Sequence, residues 1–153
     1  MPVKFQSLRF GAVEAPEEDV LDFPFGLVGL GGNRYAILEH GGGFYWLHSV
    51  EDPALALPIV RPAVYFPDFA LEISPTDRER VGFTEQDVAD LFVTVRAAPD
   101  PLETTANLRA PIVIHEGKGY QVLNDHEPAP LRAPLFELAE QPREQPVPSA
   151  DAA

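Results

Sequence analysis

Tyr35-Ala36-Ile37-Leu38, then Gly41-Gly42-Gly43, then Phe44-Tyr45-Trp46-Leu47-His48-Ser49-Val50: these neighbouring pieces decide how the chain folds. Aromatic and aliphatic residues crowd both flanks and glycines separate them, which predicts two antiparallel strands joined by a tight turn. Side chains alternate across a strand, so Phe44, Trp46, His48 and Val50 fall on one face and Tyr45, Leu47 and Ser49 on the other. Trp46 and Phe44 are expected in the core, where large alternating aromatics usually pack. Similar short runs recur at 54–60, 63–66, 91–96, 107–115 and 120–124. That spacing is the signature of an all-β sandwich or barrel. A second hairpin is predicted from Ile112-Val113-Ile114-His115 to Tyr120-Gln121-Val122-Leu123 across Glu116-Gly117-Lys118-Gly119. At the start of the chain Val3 and Phe5 are out of phase with Leu8 and Phe10, which predicts one first strand with a bulge near Gln6 or Ser7.

The chain carries 17 prolines, 11 of them before residue 126, leaving no room for helices longer than about three turns. Two brief helical signals survive. Ser74-Pro75-Thr76-Asp77 supplies an N-cap, a first-turn proline and a capping-box acid, with Gly82 at the stop. Thr84-Glu85-Gln86-Asp87 repeats the start signal. The expected fold class is therefore all-β: a small antiparallel β-barrel or roll with one or two short helical turns inserted.

With 153 residues the chain suits one domain. Composition divides it into a β-rich body over 1–125 and a proline-rich tail over 126–153, the latter expected to be partly disordered. Within the tail, 134–140 reads as a short helix whose Leu135 and Leu138 pack on the barrel unless a partner displaces it. The 24 acidic and 11 basic residues give a net charge of −13; five acids and two bases lie in the tail, leaving 19 against 9 in the body. Such an acid excess repels phosphate backbones and anionic lipid, so neither direct nucleic-acid binding nor a membrane surface is expected. Zero cysteines exclude disulfides and thiolate chemistry. The first nine residues hold no apolar run of secretory length, and a soluble cytoplasmic protein is the expectation.

His48-Ser49 with Glu51 and Asp52 nearby invites a Ser–His–acid reading, but neighbours on a strand point to opposite faces and cannot meet at hydrogen-bond distance. His40, His48, His115 and His126 lack metal-binding spacing, and the glycine-rich turns open no helix that could cradle a phosphate. No catalytic, metal or cofactor site is assigned. A rival hypothesis, a small-ligand-binding or enzymatic β-barrel with a pocket near Trp46 and His48, requires an unfilled interior. Glu14, Glu17, Glu18, Asp19 and Asp22 form an acidic stretch that fits either a helical first turn after Pro16 or a surface for a basic partner.

Five segments in order resemble the family of the flagellar assembly factor FliW: Phe23-Pro24-x-Gly26-Leu27, Phe44-Tyr45-Trp46-Leu47-x-Ser49-Val50-Glu51-Asp52-Pro53, Phe66-Pro67-Asp68-Phe69, Thr105-Ala106-Asn107-Leu108-x-Ala110-Pro111-Ile112-Val113-Ile114, and Gln121-Val122-Leu123-Asn124. The sequence departs from the family at Phe25 and Val28, where Glu and Pro are common, and at His48, Thr104 and His115. The resemblance implies a small, non-catalytic β-barrel protein of flagellum biogenesis, monomeric when free, that acts as a chaperone-like partner of flagellin in the cytoplasm. It further implies binding to the translational regulator CsrA once flagellin is exported, relieving CsrA's repression of flagellin synthesis. The partner-binding candidates are Glu51, Asp52, Asp68, Phe69, Asn107 and Asn124, of which the two asparagines could equally serve the backbone.

Overall fold

The computed structural model describes residues 1–27, 30, 32–41, 43–127 and 129–135. Eleven strands and two short α-helices follow in order among them: β1 (Val3–Ser7), β2 (Gly11–Ala15), β3 (Val20–Asp22), β4 (Arg34–Gly41), β5 (Phe44–Ser49), β6 (Ala56–Val60), α1 (Pro62–Tyr65), α2 (Pro75–Val81), β7 (Asp90–Arg96), β8 (Thr105–Ala106), β9 (Ile112–His115), β10 (Lys118–Gln121) and β11 (Ala133–Pro134). Seven of them close a barrel in the order β7-β6-β5-β4-β3-β10-β9, with β9 returning to β7 through Asp90↔Ile114, Leu91↔Val113 and Phe92↔Ile112. Every neighbouring pair is antiparallel except β3 with β10, which meet in parallel at Lys118↔Asp22. The all-β barrel with short helical insertions is thus the observed architecture.

The central hairpin pairs as its sequence requires, from Tyr35↔Ser49 to Gly41↔Phe44. Alternation along β5 also holds. Tyr45 and Leu47 enter the barrel interior with Leu21, Phe23, Tyr35, Ile59, Phe92 and Ile112. Phe23 plugs this interior against Gly119, where a Cβ would lie 2.4 Å from the ring's Cζ; only a glycine of β10 leaves room for that aromatic.

Local chemistry explains the helical turns. Ser74 Oγ accepts the Asp77 amide at 3.2 Å, Pro75 opens α2, and Gly82 closes it at φ 85°. Thr84 and Asp87 form the reciprocal capping box of a single 3-10 turn over Glu85–Asp87.

Several expected strands are corrected. The first is two strands, because Ser7 Oγ accepts the amides of Arg9 and Phe10, both at 3.0 Å, and Gly11 takes φ 76°, turning the chain back on itself. Leu8 and Phe10 are exposed at that turn, which is why they fall out of phase with Val3 and Phe5. Residues 63–66 do not form a strand: Pro62 begins α1 and Phe66 caps it. The run at 107–115 keeps only β9, since Asn107 bends the chain ahead of Pro111, and 120–124 contributes to β10 only as far as Gln121. The turn between β9 and β10 is the pair Glu116-Gly117, at φ 52° and 76°, the positive values a two-residue hairpin turn needs.

Outside the barrel, the β1–β2 hairpin packs Phe5 and Ala15 against Ala36. A further cluster joins Val60, Val93 and Val95 to Ala129, Ala133 and Leu135, with β11 pairing to β8. Pro134 is therefore part of a strand rather than the start of a helix, while Leu135 is buried as expected. The remainder of the expected 134–140 helix, including Leu138, and the disorder expected farther along lie outside the described residues.

His48 is fully buried beneath the β1–β2 hairpin. Its Nδ1 lies 2.7 Å from the Ser49 carbonyl, which can only accept, so Nδ1 carries a proton. Its Nε2 lies 2.8 Å from Ser7 Oγ, which already accepts two amides and donates its own hydrogen. Ser7→Ala strips the imidazole and both amides of this oxygen at once. A loss of about 2–3 kcal/mol in urea-unfolding free energy is expected, since each orphaned buried group costs about 1–3 kcal/mol.

Candidate partner-binding surface

The six candidate residues fall into two groups at opposite ends of β5. At its exit, Ser49 Oγ accepts the amides of Glu51 and Asp52 at 3.1 and 2.9 Å, so the hydroxyl shapes a turn and does not face His48. Glu51 and Asp52 are exposed. Glu51 Oε1 accepts the Asn33 amide at 2.9 Å, and Asp52 Oδ1 accepts the Ala54 amide at 2.9 Å. The two carboxylates are thereby held side by side at one rim. Their charge reaches inward: Tyr35 has its pKa raised, first by burial and then by repulsion from Glu51 and Asp52.

The other group lies by the entrance of β5, roughly 15–20 Å away by strand rise. Asp68 is exposed; Phe69 is half-buried against the cluster that holds Phe44, Tyr65 and Leu135. Asn124, only 3% exposed, is close to them through its Nδ2, which donates to the Ala70 carbonyl at 3.0 Å and the Leu108 carbonyl at 3.4 Å. Its Oδ1 accepts the amides of Glu72 and His126. Asn107 Oδ1 accepts the amides of Arg109 and Ala110 at 3.0 and 3.1 Å. Asn124 thus braces the segment that follows Asp68 and Phe69, while the Asn107 oxygen shapes its own turn ahead of Pro111.

Two arrangements escaped the sequence reading. At one mouth of the barrel a cleft of about 370 Å³ has Tyr45, Phe92 and Ile37 in its floor and Glu18, Asp19 and Glu39 at its rim. Arg61 spans it, with Nη2 2.7 Å from Asp90 Oδ2, Nε 3.2 Å from Oδ1, and a further bond to the Tyr45 hydroxyl. The Asp90 hydrogen bonds, opposed by desolvation and helped by the carboxylate's charge, raise the guanidinium pKa above its ordinary value. The second arrangement is around Trp46, which is half-buried rather than core. Arg9 lies 4.5 Å over its ring and Phe10 meets it edge-on at 5.9 Å, both delivered by the β1–β2 turn. Leu47 is packed into the filled interior, and both ring nitrogens of His48 are engaged, by the Ser49 carbonyl and the Ser7 hydroxyl.

The acidic stretch takes the helical-turn form: Glu17–Asp19 is a 3-10 turn after Pro16, with all three carboxylates exposed. Glu17 also meets the terminal ammonium of Met1 at 3.2 Å. Among the described residues no group of three or more His, Asp or Glu side chains is arranged to hold a metal ion, and no helix is long and apolar enough to cross a membrane.

Comparison with known proteins is consistent over this whole unit. The family model described as FliW protein matches residues 4–135. A flagellar assembly factor FliW from Bdellovibrio bacteriovorus is 37% identical over 139 residues, covering 87% of this chain and 79% of the relative. One from Alkaliphilus metalliredigens is 34% identical over 146 residues, covering 92% and 90%. A crystal structure of the flagellar assembly factor FliW superposes with a TM-score of 0.74 at 34% identity, over 87% of this chain and 96% of that one.

Proposed function

The chain belongs to the FliW family, and from that premise we propose that it is a non-catalytic flagellar assembly factor with two protein partners. It binds newly made flagellin as a chaperone-like partner in the cytoplasm. When flagellin leaves, it binds CsrA and relieves the repression of flagellin synthesis. The observation that carries this reading is the family match, which runs over residues 4–135 and so takes in every barrel strand. The body's charge supports the CsrA half, because a surface that repels RNA can still attract the basic protein that binds RNA. Mixing the purified protein with flagellin and with CsrA of the same bacterium at micromolar concentration in moderate salt tests it. Failure to bind either one overturns the reading.

Glu51 and Asp52 supply the paired carboxylates of the CsrA contact in this proposal, and Asp68 and Phe69 supply a second contact. Asn124 positions the chain behind the second, and Asn107 the turn ahead of Pro111. Charge can be removed without losing the turn by Glu51→Gln and Asp52→Asn, which keep an acceptor oxygen toward Asn33 and Ala54. The double variant is expected to weaken CsrA binding several-fold and to flatten its salt dependence, with stability within about 1 kcal/mol of the parent. Unchanged affinity across a salt series places the CsrA contact elsewhere.

A further inference from the structure

The pairing of β6 with β7 is confined to Ile59↔Thr94 and Val60↔Val93; continued, the register would set Val95 opposite Pro58 and Arg96 opposite Leu57. Pro58 has no N–H to donate across that next rung, so the ladder stops and the strands part. A trough of about 390 Å³, lined by Leu57, Thr94 and Arg96, lies over the gap. Beyond it Arg96, Thr105 and Pro134 form one cross-strand row, and Arg132 is two residues from Pro134. From Leu57 to Arg132 the trough crosses β6, β7 and β8 to the approach of β11, roughly 14 Å by strand spacing and the length of about four extended residues.

The chemistry of this trough departs from that of the rest of the chain. Leu57 and Leu131 give it apolar walls, with Leu131 58% exposed. Arg96 and Arg132, both exposed, stand beside them, and no carboxylate among the described residues lines it. Elsewhere Arg34, Arg61, Arg78 and Arg80 pair with carboxylates, Arg9 lies over Trp46, and Arg109 donates to the Ala129 carbonyl. Of the described arginines, only Arg96 and Arg132 have no partner among the described residues. Asn107 also lines the trough; its Oδ1 is held by two amides of its own turn, which leaves Nδ2 as a donor. A chain of net charge −13 thus leaves two guanidiniums uncompensated along one apolar depression.

We infer that this trough docks an acidic segment of a protein partner, a carboxylate meeting Arg96 and Arg132 while an aliphatic neighbour rests on Leu57 and Leu131. The planar guanidinium fork matches a carboxylate, and the apolar walls give the adjoining side chain a place to be buried. A long polyanion is repelled by the acid excess of the whole body, whereas a short acidic segment meets mainly the two nearby cations. The inference stands apart from the assignment of flagellin and CsrA, and its test uses neither.

The probe is the peptide acetyl-Leu-Glu-Leu-Glu-amide, titrated to millimolar concentration into the full-length protein labelled with nitrogen-15. Saturable shifts of the Arg96 and Arg132 Nε–H signals and of the Thr105 amide are expected, weakening as salt is added. The glutamine counterpart of the peptide is expected to leave them in place. Arg96→Gln with Arg132→Gln is expected to abolish the shift of the Thr105 amide, and Leu131→Ser to weaken binding several-fold, both at an unchanged far-UV spectrum. Absence of saturable shifts overturns the inference, as do equal shifts with the glutamine peptide. Equal shifts with inorganic phosphate reduce the site to a non-selective anion contact, and tighter binding of a short single-stranded RNA assigns it to nucleic acid; either result overturns the inference too.

Discussion

Phe23→Ala is expected to lower the unfolding free energy by about 3–5 kcal/mol, the cost of deleting a fully buried aromatic and leaving a cavity. The same site can be injured from the other side. Gly119→Ala drives a methyl to within 2.4 Å of the Phe23 ring and is expected to cost at least about 1–3 kcal/mol through overpacking. The two losses are not expected to add, because the space emptied by Phe23→Ala accepts the new methyl. The double variant should therefore be more stable than the sum of the single losses predicts, by more than about 0.5 kcal/mol. Urea unfolding followed by far-UV circular dichroism measures all three. Strict additivity would contradict the placement of Phe23 against β10, and with it the way this end of the barrel is closed.

Asn124→Ala carries the second large effect. The side chain makes four hydrogen bonds, to Ala70, Glu72, Leu108 and His126, tying three separate stretches of chain together while nearly excluded from water. Removing it orphans buried backbone groups, and a loss of about 2–4 kcal/mol is expected. Asn124→Asp keeps the acceptors but presents no amide hydrogens to two carbonyls, so it too is expected to destabilise. A residue that touched a partner directly would behave otherwise, losing affinity at unchanged stability. For Asn124 the reverse is expected: the protein that remains folded keeps its affinity within about twofold, while the denaturant midpoint falls. Thermal melts and binding isotherms on the same preparations distinguish the two behaviours.

What could be read from the sequence was whatever local chemistry writes into it. The Tyr35–Val50 region carries its glycines, its alternation and its aromatics within sixteen residues, and it folds as that pattern requires. Ser74, Pro75 and Gly82 mark α2 at both ends for the same reason. The closure of the barrel was not written anywhere locally, because β7 meets β9 and β3 meets β10 only after long excursions of the chain. Arg61 and Asp90 are 29 positions apart and gave no joint signal. Trp46 is half-buried outside the core because the groups that cover it, Arg9 and Phe10, come from the β1–β2 turn, where the sequence predicts a single bulged strand. A clue to that hairpin was available in Gly11, just after the out-of-phase Leu8 and Phe10. Among the candidate contacts, exposure of Glu51, Asp52 and Asp68 followed from their acidic side chains beside turns, whereas the asparagines needed the structure, since the same amide can bind a partner or serve the backbone.

The proposed function requires flagellin and CsrA to exclude one another on this protein. A competition titration tests this most directly: flagellin is added to a preformed complex of the protein with CsrA, and CsrA release is followed by analytical size exclusion or by a fluorescent label on CsrA. Stoichiometric release of CsrA as flagellin is bound is the predicted result. A stable complex containing all three proteins, or flagellin that leaves the CsrA complex intact at saturating concentration, would contradict it.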